Sequence, residues 1–328
     1  MPCGRAPDRS RTCDLRYRKP ALYPLSYGGE RGPSLAGEAA RQAHRRGGIR
    51  DLVRGRRAVP HLSTVQRHVT STIEFTLGSP ADVVYSVAAH QLATLASEEL
   101  TILADGEPIE VVEAIDRAEC RLHRISTDAS RVTLEYRATI DGFAAPNVPA
   151  ELDRIHYRRP SRYAESDILG STSRALFRGL KDFELLDAVV DWVSSNLRYV
   201  RGSSLPTDGA RDTFLKRQGV CRDYAHLVIA LLRAHDVPAR LVSVYAPGLE
   251  PMDFHAVVEA LIDGQWWVVD ATRLAPRHLM QRIATGRDAS DTAFLSYTLS
   301  NLKLTKLLVM ATADEFTPED PSARVQLR

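Results

Sequence analysis

The dipeptide Asp263-Gly264 is the feature that most constrains this chain, because it separates two stretches with the composition of β-strands. The stretches span residues 255–262 and 265–271, and both are rich in valine and other apolar residues. Asp-Gly favours a two-residue hairpin turn, in which both turn residues adopt positive φ angles. A turn of that length fixes the register of the two strands. The sequence therefore predicts an antiparallel hairpin in which Ile262 lies opposite Gln265.

This register brings two polar residues together near the open end of the hairpin. Counting from the turn, His255 lies opposite Thr272, and Asp270 is two residues from Thr272 on the same face of the sheet. Diagonal neighbours of this kind are roughly 7–8 Å apart at the backbone. A carboxylate and an imidazole can close that distance to a hydrogen bond. The spacing therefore predicts that Asp270 orients the His255 ring, provided that the hairpin contains no bulge.

A third polar residue, Cys221, lies at the predicted start of a buried helix. Gly219 precedes it and lets the backbone turn tightly. The apolar residues that follow have helical spacing and are Tyr224, Leu227, Val228, Leu231 and Leu232. The unpaired N–H groups of a helix N-terminus favour a thiolate, the reactive form of cysteine, and can hold an oxyanion that develops on a carbonyl substrate. On position alone, a cysteine packed as a small apolar side chain is an equal alternative.

Cys221, His255 and Asp270 together have the chemistry of a nucleophile, a base and an orienting acid. His255 would take the thiol proton, and Asp270 would hold the imidazole tautomer and its charge. Each residue also has a structural alternative: a packed thiol, a satisfied histidine at a strand start, and an aspartate that caps the following turn. Because three independent elements converge on one chemistry, the catalytic interpretation is favoured over three unrelated structural roles.

Three motifs in this region resemble the core motifs of the transglutaminase-like superfamily, most closely those of its bacterial members. They are residues 219–225, 253–259 and 266–272, and the resemblance extends over about residues 155–310. It implies that Cys221 is the nucleophile, His255 the base and Asp270 the acid. It also implies an α+β fold with a papain-like transglutaminase core, in which the cysteine helix packs on an antiparallel sheet, preceded by an antiparallel β-sandwich domain.

The resemblance also implies a cysteine-dependent amide or peptide hydrolase or acyltransferase that works through a thioester acyl-enzyme on a peptide or protein substrate. Animal cross-linking members use an upstream tryptophan as an oxyanion donor, and no tryptophan matches that place here. Tyr199 is the nearest candidate and Gln218 the second. This departure favours hydrolysis over an amine-accepting cross-linker. A non-catalytic peptide-binding module of the same fold is a further alternative.

Alternating apolar residues precede the core and predict a separate β domain. Short strand patterns with turn signals recur at roughly ten-residue spacing between residues 69 and 140, which is typical of a sandwich or barrel. We therefore expect a β-sandwich domain at 65–145, a catalytic domain at 146–312 and a flexible tail at 313–328. Residues 302–309 are expected to close the catalytic sheet.

The beginning of the chain differs in charge from the remainder. Residues 1–60 hold 14 Lys and Arg against 5 Asp and Glu, a net charge of +9, and the remainder holds 29 against 36, a net charge of −7. A basic arm is typical of nucleic-acid contact, but its many Arg, Gly and Pro residues and weak apolar periodicity favour disorder. We expect 1–64 to be a disordered basic arm or a mis-assigned start, and we expect no nucleic-acid partner.

Several other functional classes have no signal in the sequence. No run of about 18 apolar residues occurs, so no membrane contact is expected. Four cysteines among 328 residues do not make a disulfide framework, which favours a reducing, cytoplasmic location. No zinc or calcium pattern and no glycine-rich phosphate loop is present, so neither a metal nor a cofactor is expected.

Overall fold

The computed structural model describes residues 65–298 and 300–328, together with the backbone of residues 19–20. The expected basic arm at 1–64 lies outside the described residues, apart from that dipeptide. The described part has the α+β organisation predicted from the sequence, with an antiparallel β-sandwich next to a sheet that carries a buried helix.

The chain changes from strands to mixed secondary structure near residue 150. The strands before that point are β1 (Lys19–Pro20), β2 (Gln66–Leu77), β3 (Ala81–Tyr85), β4 (Leu95–Ala104), β5 (Glu107–Pro108), β6 (Val112–Ile115), β7 (Arg121–Thr127) and β8 (Arg131–Asp141). The elements after it are α1 (Glu151–His156), α2 (Gly170–Leu176), α3 (Asp182–Asn196), β9 (Arg198–Tyr199), α4 (Ala210–Lys216), β10 (Gln218–Gly219), α5 (Cys221–Arg233), β11 (Ala239–Tyr245), β12 (Phe254–Ile262), β13 (Gln265–Val269), a 3₁₀ turn (Arg277–Leu279), β14 (Gln281–Gly286), β15 (Leu295–Tyr297) and β16 (Leu302–Ala313).

Two antiparallel sheets form the sandwich. One has the strand order β16-β2-β8-β4-β5, and the other has the order β1-β15-β3-β7-β6. Side chains alternate between buried and more exposed along β2 and β8, as expected for strands with one face toward a core. Phe75 and Leu134 of the first sheet share a hydrophobic core with Tyr85 and Ile125 of the second. The two sheets therefore pack face to face.

Next to the sandwich lies a separate four-stranded antiparallel sheet, here named the core sheet, with the order β13-β12-β11-β14. Helix α5 is buried along its whole length and packs on β11 and β12. Leu227 and Leu231 of the helix share a core with Leu241 and Val258 of the sheet. Helices α3 and α4 contact α5 as well. A helix that is enclosed in this way holds its first residue in a fixed position relative to the sheet.

The register predicted for the hairpin is confirmed. Asp263 and Gly264 both have positive φ, 51° and 73°, as a two-residue turn of this type requires. Ile262 pairs with Gln265, and the pairing continues without a shift as far as Val258 and Val269. The chain leaves the strand after Val269, so the following residues are placed by the turn at the far end of the hairpin.

The expectation that residues 302–309 close the core sheet is wrong. Strand β16 pairs with β2 and strand β15 pairs with β3, so the chain returns to the sandwich after it has completed the core. The predicted boundary of the catalytic domain at 312 therefore places two sandwich strands in the wrong unit. An alternating apolar pattern indicates a strand with one buried face, but it does not say which strand is the neighbour.

The terminal residues 313–328, expected to form a flexible tail, are instead packed against the core. Arg277 donates hydrogen bonds to the carbonyl oxygens of Pro321 and Ala323, at 3.2 and 3.1 Å. Val325 forms an isolated antiparallel bridge with Val268 of β13. Leu327 is 4% exposed and packs in a hydrophobic cluster with residues of the core sheet. These contacts come from distant residues, so the polar composition of the tail does not reveal them.

The sandwich packs directly on the core sheet near the end that carries His255. The Tyr245 hydroxyl, at the end of β11, lies 2.8 Å from the carbonyl oxygen of Val87 and 3.1 Å from the hydroxyl of Ser71. Phe254, at the start of β12, stacks on Phe294 with 5.3 Å between ring centroids. Because Phe254 immediately precedes His255, the junction between sandwich and core adjoins the residues predicted to be catalytic.

Candidate active site

Cys221 is the first residue of α5, and its helix is capped from within. The N-cap residue Val220 is extended, and its N–H donates to a carboxylate oxygen of Asp223 at 2.8 Å. A Cβ on Gly219 would lie 2.6 Å from the Cβ of Asp223. Glycine is therefore needed before the cysteine because the capping aspartate approaches closely. The predicted reason, a tight turn, is not the cause, since the positive-φ residues do not include Gly219.

His255 and Asp270 form the hydrogen bond that the hairpin register predicts. Nε2 of His255 lies 2.7 Å from Oδ2 of Asp270. The other carboxylate oxygen of Asp270 accepts the Thr272 N–H at 2.8 Å and the Thr272 hydroxyl at 2.7 Å. The aspartate therefore caps the following turn with one oxygen and holds the imidazole with the other. The structural and the orienting interpretation of Asp270 are compatible.

The Cys221 thiol is a close neighbour of the His255 ring. Nδ1 has no hydrogen-bond partner among the described residues, and the Cys221 thiol is one of the groups that raise the pKa of His255. Complete burial disfavours the charged ring, but the Asp270 carboxylate and the Cys221 sulfur outweigh it and raise the pKa of His255 to about 10. The imidazole is therefore held in its charged form at neutral pH.

Burial acts on Asp270 in the opposite direction to its partners. Removal from water raises the pKa of a carboxyl group, but the charge and hydrogen bond of His255 and the two bonds from Thr272 lower the pKa of Asp270 below its ordinary value. The carboxylate therefore stays ionised beside the imidazolium. Cys221 and His255 are each 1% exposed, so this charged pair is shielded from bulk water.

Of the two candidate oxyanion donors, the structure brings Tyr199 to the thiol and leaves Gln218 away from it. β9 and β10 pair in parallel, with Tyr199 opposite Gly219. Burial is the largest cause that raises the pKa of Tyr199, and the nearby Cys221 sulfur adds to this rise. The backbone N–H of Cys221 points at the phenol oxygen and partly opposes it. The side-chain oxygen of Gln218 instead accepts a hydrogen bond from the exposed Arg198 at 3.3 Å.

Comparisons with known proteins identify the family of this chain. Residues 173–271 match a family model described as the transglutaminase-like superfamily. The crystal structure of a "putative cysteine protease" from Cytophaga hutchinsonii is 33% identical, with a TM-score of 0.73, and the match covers 80% of this chain and 96% of that one. The chain belongs to the transglutaminase-like superfamily. Its fold is accordingly papain-like and is typical of cysteine-dependent hydrolases and transferases.

Two mycobacterial proteins are also similar to this superfamily member. An uncharacterized protein of Mycobacterium leprae is 30% identical over 203 residues, which is 57% of this chain and 67% of the relative. An uncharacterized protein of Mycobacterium tuberculosis is 37% identical over 62 residues, which is 19% of this chain and 20% of that relative. Their names describe no activity, so they add similarity without chemistry.

Sequence reasoning missed a second acid beside this transglutaminase-like site. Asp253 accepts the Phe254 N–H at 2.8 Å, and it lies in the wall of a cavity together with Tyr199 and Arg201. Burial raises the pKa of Asp253 to about 6, although the Phe254 N–H and the charge of His255 oppose this. The signal was available, because Asp253 stands two residues before His255 in the motif that carries the resemblance.

A clamp between α5 and the preceding loop was also missed. Arg222 donates to the carbonyl oxygen of Leu205 at 2.8 Å, and Ser204 donates to Asp223 at 2.9 Å. Both Arg222 and Asp223 are buried. The first turn of the cysteine helix therefore fixes the loop at 201–210, whose conformation the sequence alone does not reveal.

The described part of the chain carries neither a metal-binding cluster nor a membrane-spanning helix. No group of three or more His, Cys, Asp or Glu side chains is placed there to hold a metal ion. None of the helices described there is long and apolar enough to cross a membrane.

Proposed function

We propose that the protein is a cysteine-dependent amide or peptide hydrolase in which Cys221 is the nucleophile, His255 the general base and acid, and Asp270 the orienting acid. The observation that carries this proposal is the environment of the His255 ring. One ring nitrogen is 2.7 Å from the Asp270 carboxylate, and the Cys221 thiol at the first turn of α5 is a close neighbour of the ring.

Acylation follows from this arrangement. The Cys221 thiolate attacks the carbonyl carbon of an amide, and the negative charge moves to the carbonyl oxygen. We assign the Tyr199 hydroxyl, which lies beside the backbone N–H of Cys221, as a donor that holds that oxyanion. The tetrahedral intermediate collapses when the C–N bond breaks and His255 gives its proton to the leaving amine. The products are the free amine and a thioester on Cys221.

Deacylation reverses the role of the histidine. A water molecule gives a proton to His255 while its oxygen adds to the thioester carbonyl. Breakage of the C–S bond then releases a carboxylic acid and restores the thiolate. Asp270 keeps the imidazole in one orientation through both half-reactions, because its two oxygens are already fixed by His255 and Thr272.

Intact-mass measurement after incubation with a panel of short peptide amides tests this function. We expect a thioester adduct on Cys221 that disappears as the free acid forms, and no adduct in the variant Cys221→Ala. Variant Cys120→Ala is the matched control and should form the adduct as the parent protein does. With a primary amine added to the incubation, accumulation of its acyl conjugate in place of the acid would assign the protein to the amine-accepting cross-linkers.

The non-catalytic alternative has its own test. Iodoacetamide alkylates thiolates far faster than thiols, and the charged His255 is a close neighbour of Cys221. We expect Cys221 to be alkylated near pH 6 faster than free cysteine. A rate no faster than that of free cysteine would remove the support for an enzyme and leave a peptide-binding module.

A further inference from the structure

The sandwich presents the edge of a strand beside the candidate active site. Among residues 65–298 and 300–328, strand β16 pairs with one strand, β2, and this pairing is regular from residue 306 to residue 313. Long open edges are ready to pair with another strand, and proteins usually shorten, charge or cover them. The edge of β16 from residue 306 to residue 313, part of which lines a cavity together with Tyr199, is therefore a candidate binding surface.

The direction of the backbone groups along this edge follows from one hydrogen bond. The N–H of Asp314, the residue after β16, donates to the carbonyl oxygen of Gln66 at 3.1 Å. In an antiparallel pair, alternate residues point their N–H and C=O groups toward the neighbour. Leu308 and Met310 therefore face β2, since the register is unbroken from residue 306 onward. The intervening residues point their backbone groups away from the sheet.

Those outward-pointing residues are Leu307, Val309 and Ala311. Among residues 65–298 and 300–328, no backbone or side-chain group forms a hydrogen bond to their N–H or C=O groups. The side chains of the alternate residues Leu308 and Met310 are 49% and 46% exposed. The edge thus combines unused backbone donors and acceptors with apolar side chains, which are the two requirements for adding a strand.

The same edge forms one wall of a cavity that Tyr199 also lines. The cavity has a volume of about 140 Å³, and residues 307–309 line it on the sandwich side. Tyr199, Arg201 and Asp253 line it on the side of the core. Tyr199 is also the residue next to the Cys221 N–H, so one residue of the cavity wall adjoins the nucleophile.

We propose that β16 is the substrate-binding strand: an extended segment of a polypeptide substrate pairs with the backbone of residues 307–311 and continues into the cavity at Tyr199. This inference rests on the proposed function, and it assigns the substrate to extended polypeptide chains. Main-chain pairing is tolerant of sequence, while side chains of alternate substrate residues contact Leu308 and Met310. The sandwich domain is then the part of the molecule that captures the substrate.

Binding of an unfolded polypeptide tests the proposal without any chemical step. Reduced, carboxymethylated casein labelled with fluorescein is the probe, and fluorescence anisotropy with the full-length variant Cys221→Ala gives the affinity. We expect the double substitution Leu308→Lys and Met310→Lys to weaken binding by about tenfold or more, because charged edges resist added strands. Both positions are half-exposed, so the fold should tolerate lysine.

A matched control exists on the other sheet. Val112 and Ile115 lie on β6, the terminal strand of that sheet, and are 50% and 49% exposed. The double substitution Val112→Lys and Ile115→Lys should leave casein binding unchanged. Equal affinity in both double variants, or no binding of casein by the parent protein, would overturn the proposal.

Residue-resolved amide hydrogen exchange gives the sharpest readout. With casein bound, the N–H groups of Leu307, Val309 and Ala311 should exchange more slowly, while those of Leu308 and Met310, already bonded to β2, should change little. Protection without this alternation contradicts strand addition. Protection before casein is added also contradicts it, and identifies a second copy if it rises with protein concentration or another segment of this chain if it does not.

This experiment is separable from the test of the enzyme. Acylation of Cys221 by short peptide amides reports the chemistry and does not need the strand edge. If Leu308→Lys and Met310→Lys leave short-amide acylation intact and abolish casein binding, both proposals hold. Casein binding with the expected alternation but no acylation by any amide would retain the binding surface and reject the hydrolase.

Discussion

Cys120 and Cys221 are equally buried, yet their surroundings give them opposite chemistry. Each is a free cysteine, 1% exposed. The Cys120 sulfur accepts the Thr285 N–H at 3.1 Å, and burial raises the pKa of its thiol to about 12. Cys221 instead begins a helix next to a charged histidine. Burial alone therefore does not decide whether a cysteine is reactive, and the partners of the sulfur do.

The largest expected effect comes from replacing each of the two cysteines by alanine in turn. Cys221→Ala should reduce turnover of short peptide amides by about 10⁶-fold, the scale seen when a nucleophile is removed from a hydrolase. Cys120→Ala should leave turnover within about twofold of the parent protein. Initial rates of acid formation provide the measurement. A large loss of turnover in a folded Cys120→Ala protein would break the comparison.

The histidine partners offer the next largest effect. Asp270→Asn keeps the shape of the side chain but removes the charge that holds the His255 ring, so acylation should slow by on the order of 10⁴-fold. The control is Asp288→Asn, because Asp288 also lies near a buried histidine, His226, whose pKa burial lowers to about 3. In stopped-flow measurements, the control should be acylated at a rate close to that of the parent protein. Equal losses of acylation rate in the two variants would mean that changing any carboxylate near a buried histidine has this effect, and that the His255–Asp270 pair is not special.

Tyr199→Phe sharpens the comparison at the level of the transition state. Loss of one oxyanion donor should lower kcat by about 10²–10³-fold and change KM little. Gln218→Ala should leave kcat unchanged, because the Gln218 side chain is bonded to Arg198 instead of facing the thiol. The kcat and KM values for a short peptide amide provide the test. A larger effect from Gln218→Ala than from Tyr199→Phe would reverse the assignment of the donor.

The smallest effect concerns stability at the inert cysteine. Cys120→Ala leaves the buried Thr285 N–H without its acceptor, which should cost about 1–3 kcal/mol of unfolding free energy. Cys120→Ser retains an acceptor and should lose less. Urea denaturation of the two variants measures the difference. If both variants are as stable as the parent, Cys120 is not the structural residue that its contacts indicate.

The part of the site that the sequence predicts best is the part fixed by short-range geometry. A two-residue turn determines a strand register, so the proximity of His255 and Asp270 followed from Asp263-Gly264. The start of α5 at Cys221 followed from helical periodicity. Both inferences need only neighbouring residues, and both are confirmed by the pairing and the hydrogen bonds.

What the sequence did not predict depends on partners that are distant along the chain. The strand character of residues 302–309 was evident, but their pairing with β2 was not. Arg277 was an ordinary charged residue until its contacts with Pro321 and Ala323 showed how the tail is held. Asp253 was visible in a motif, but its position in the cavity wall depends on the fold of the loop before it.

The return of β16 to the sandwich also determines the order in which the molecule can be completed during synthesis. β2 ends at Leu77 and β16 begins at Leu302, so 225 residues (302 minus 77) must follow before β2 gains this neighbour. At ~5–20 residues per second, the ribosome needs about 10–45 s to supply them. Through that interval the side of β2 that β16 will cover is open on a nascent chain. The core that carries the thiol is thus synthesised before the sandwich beside it is finished.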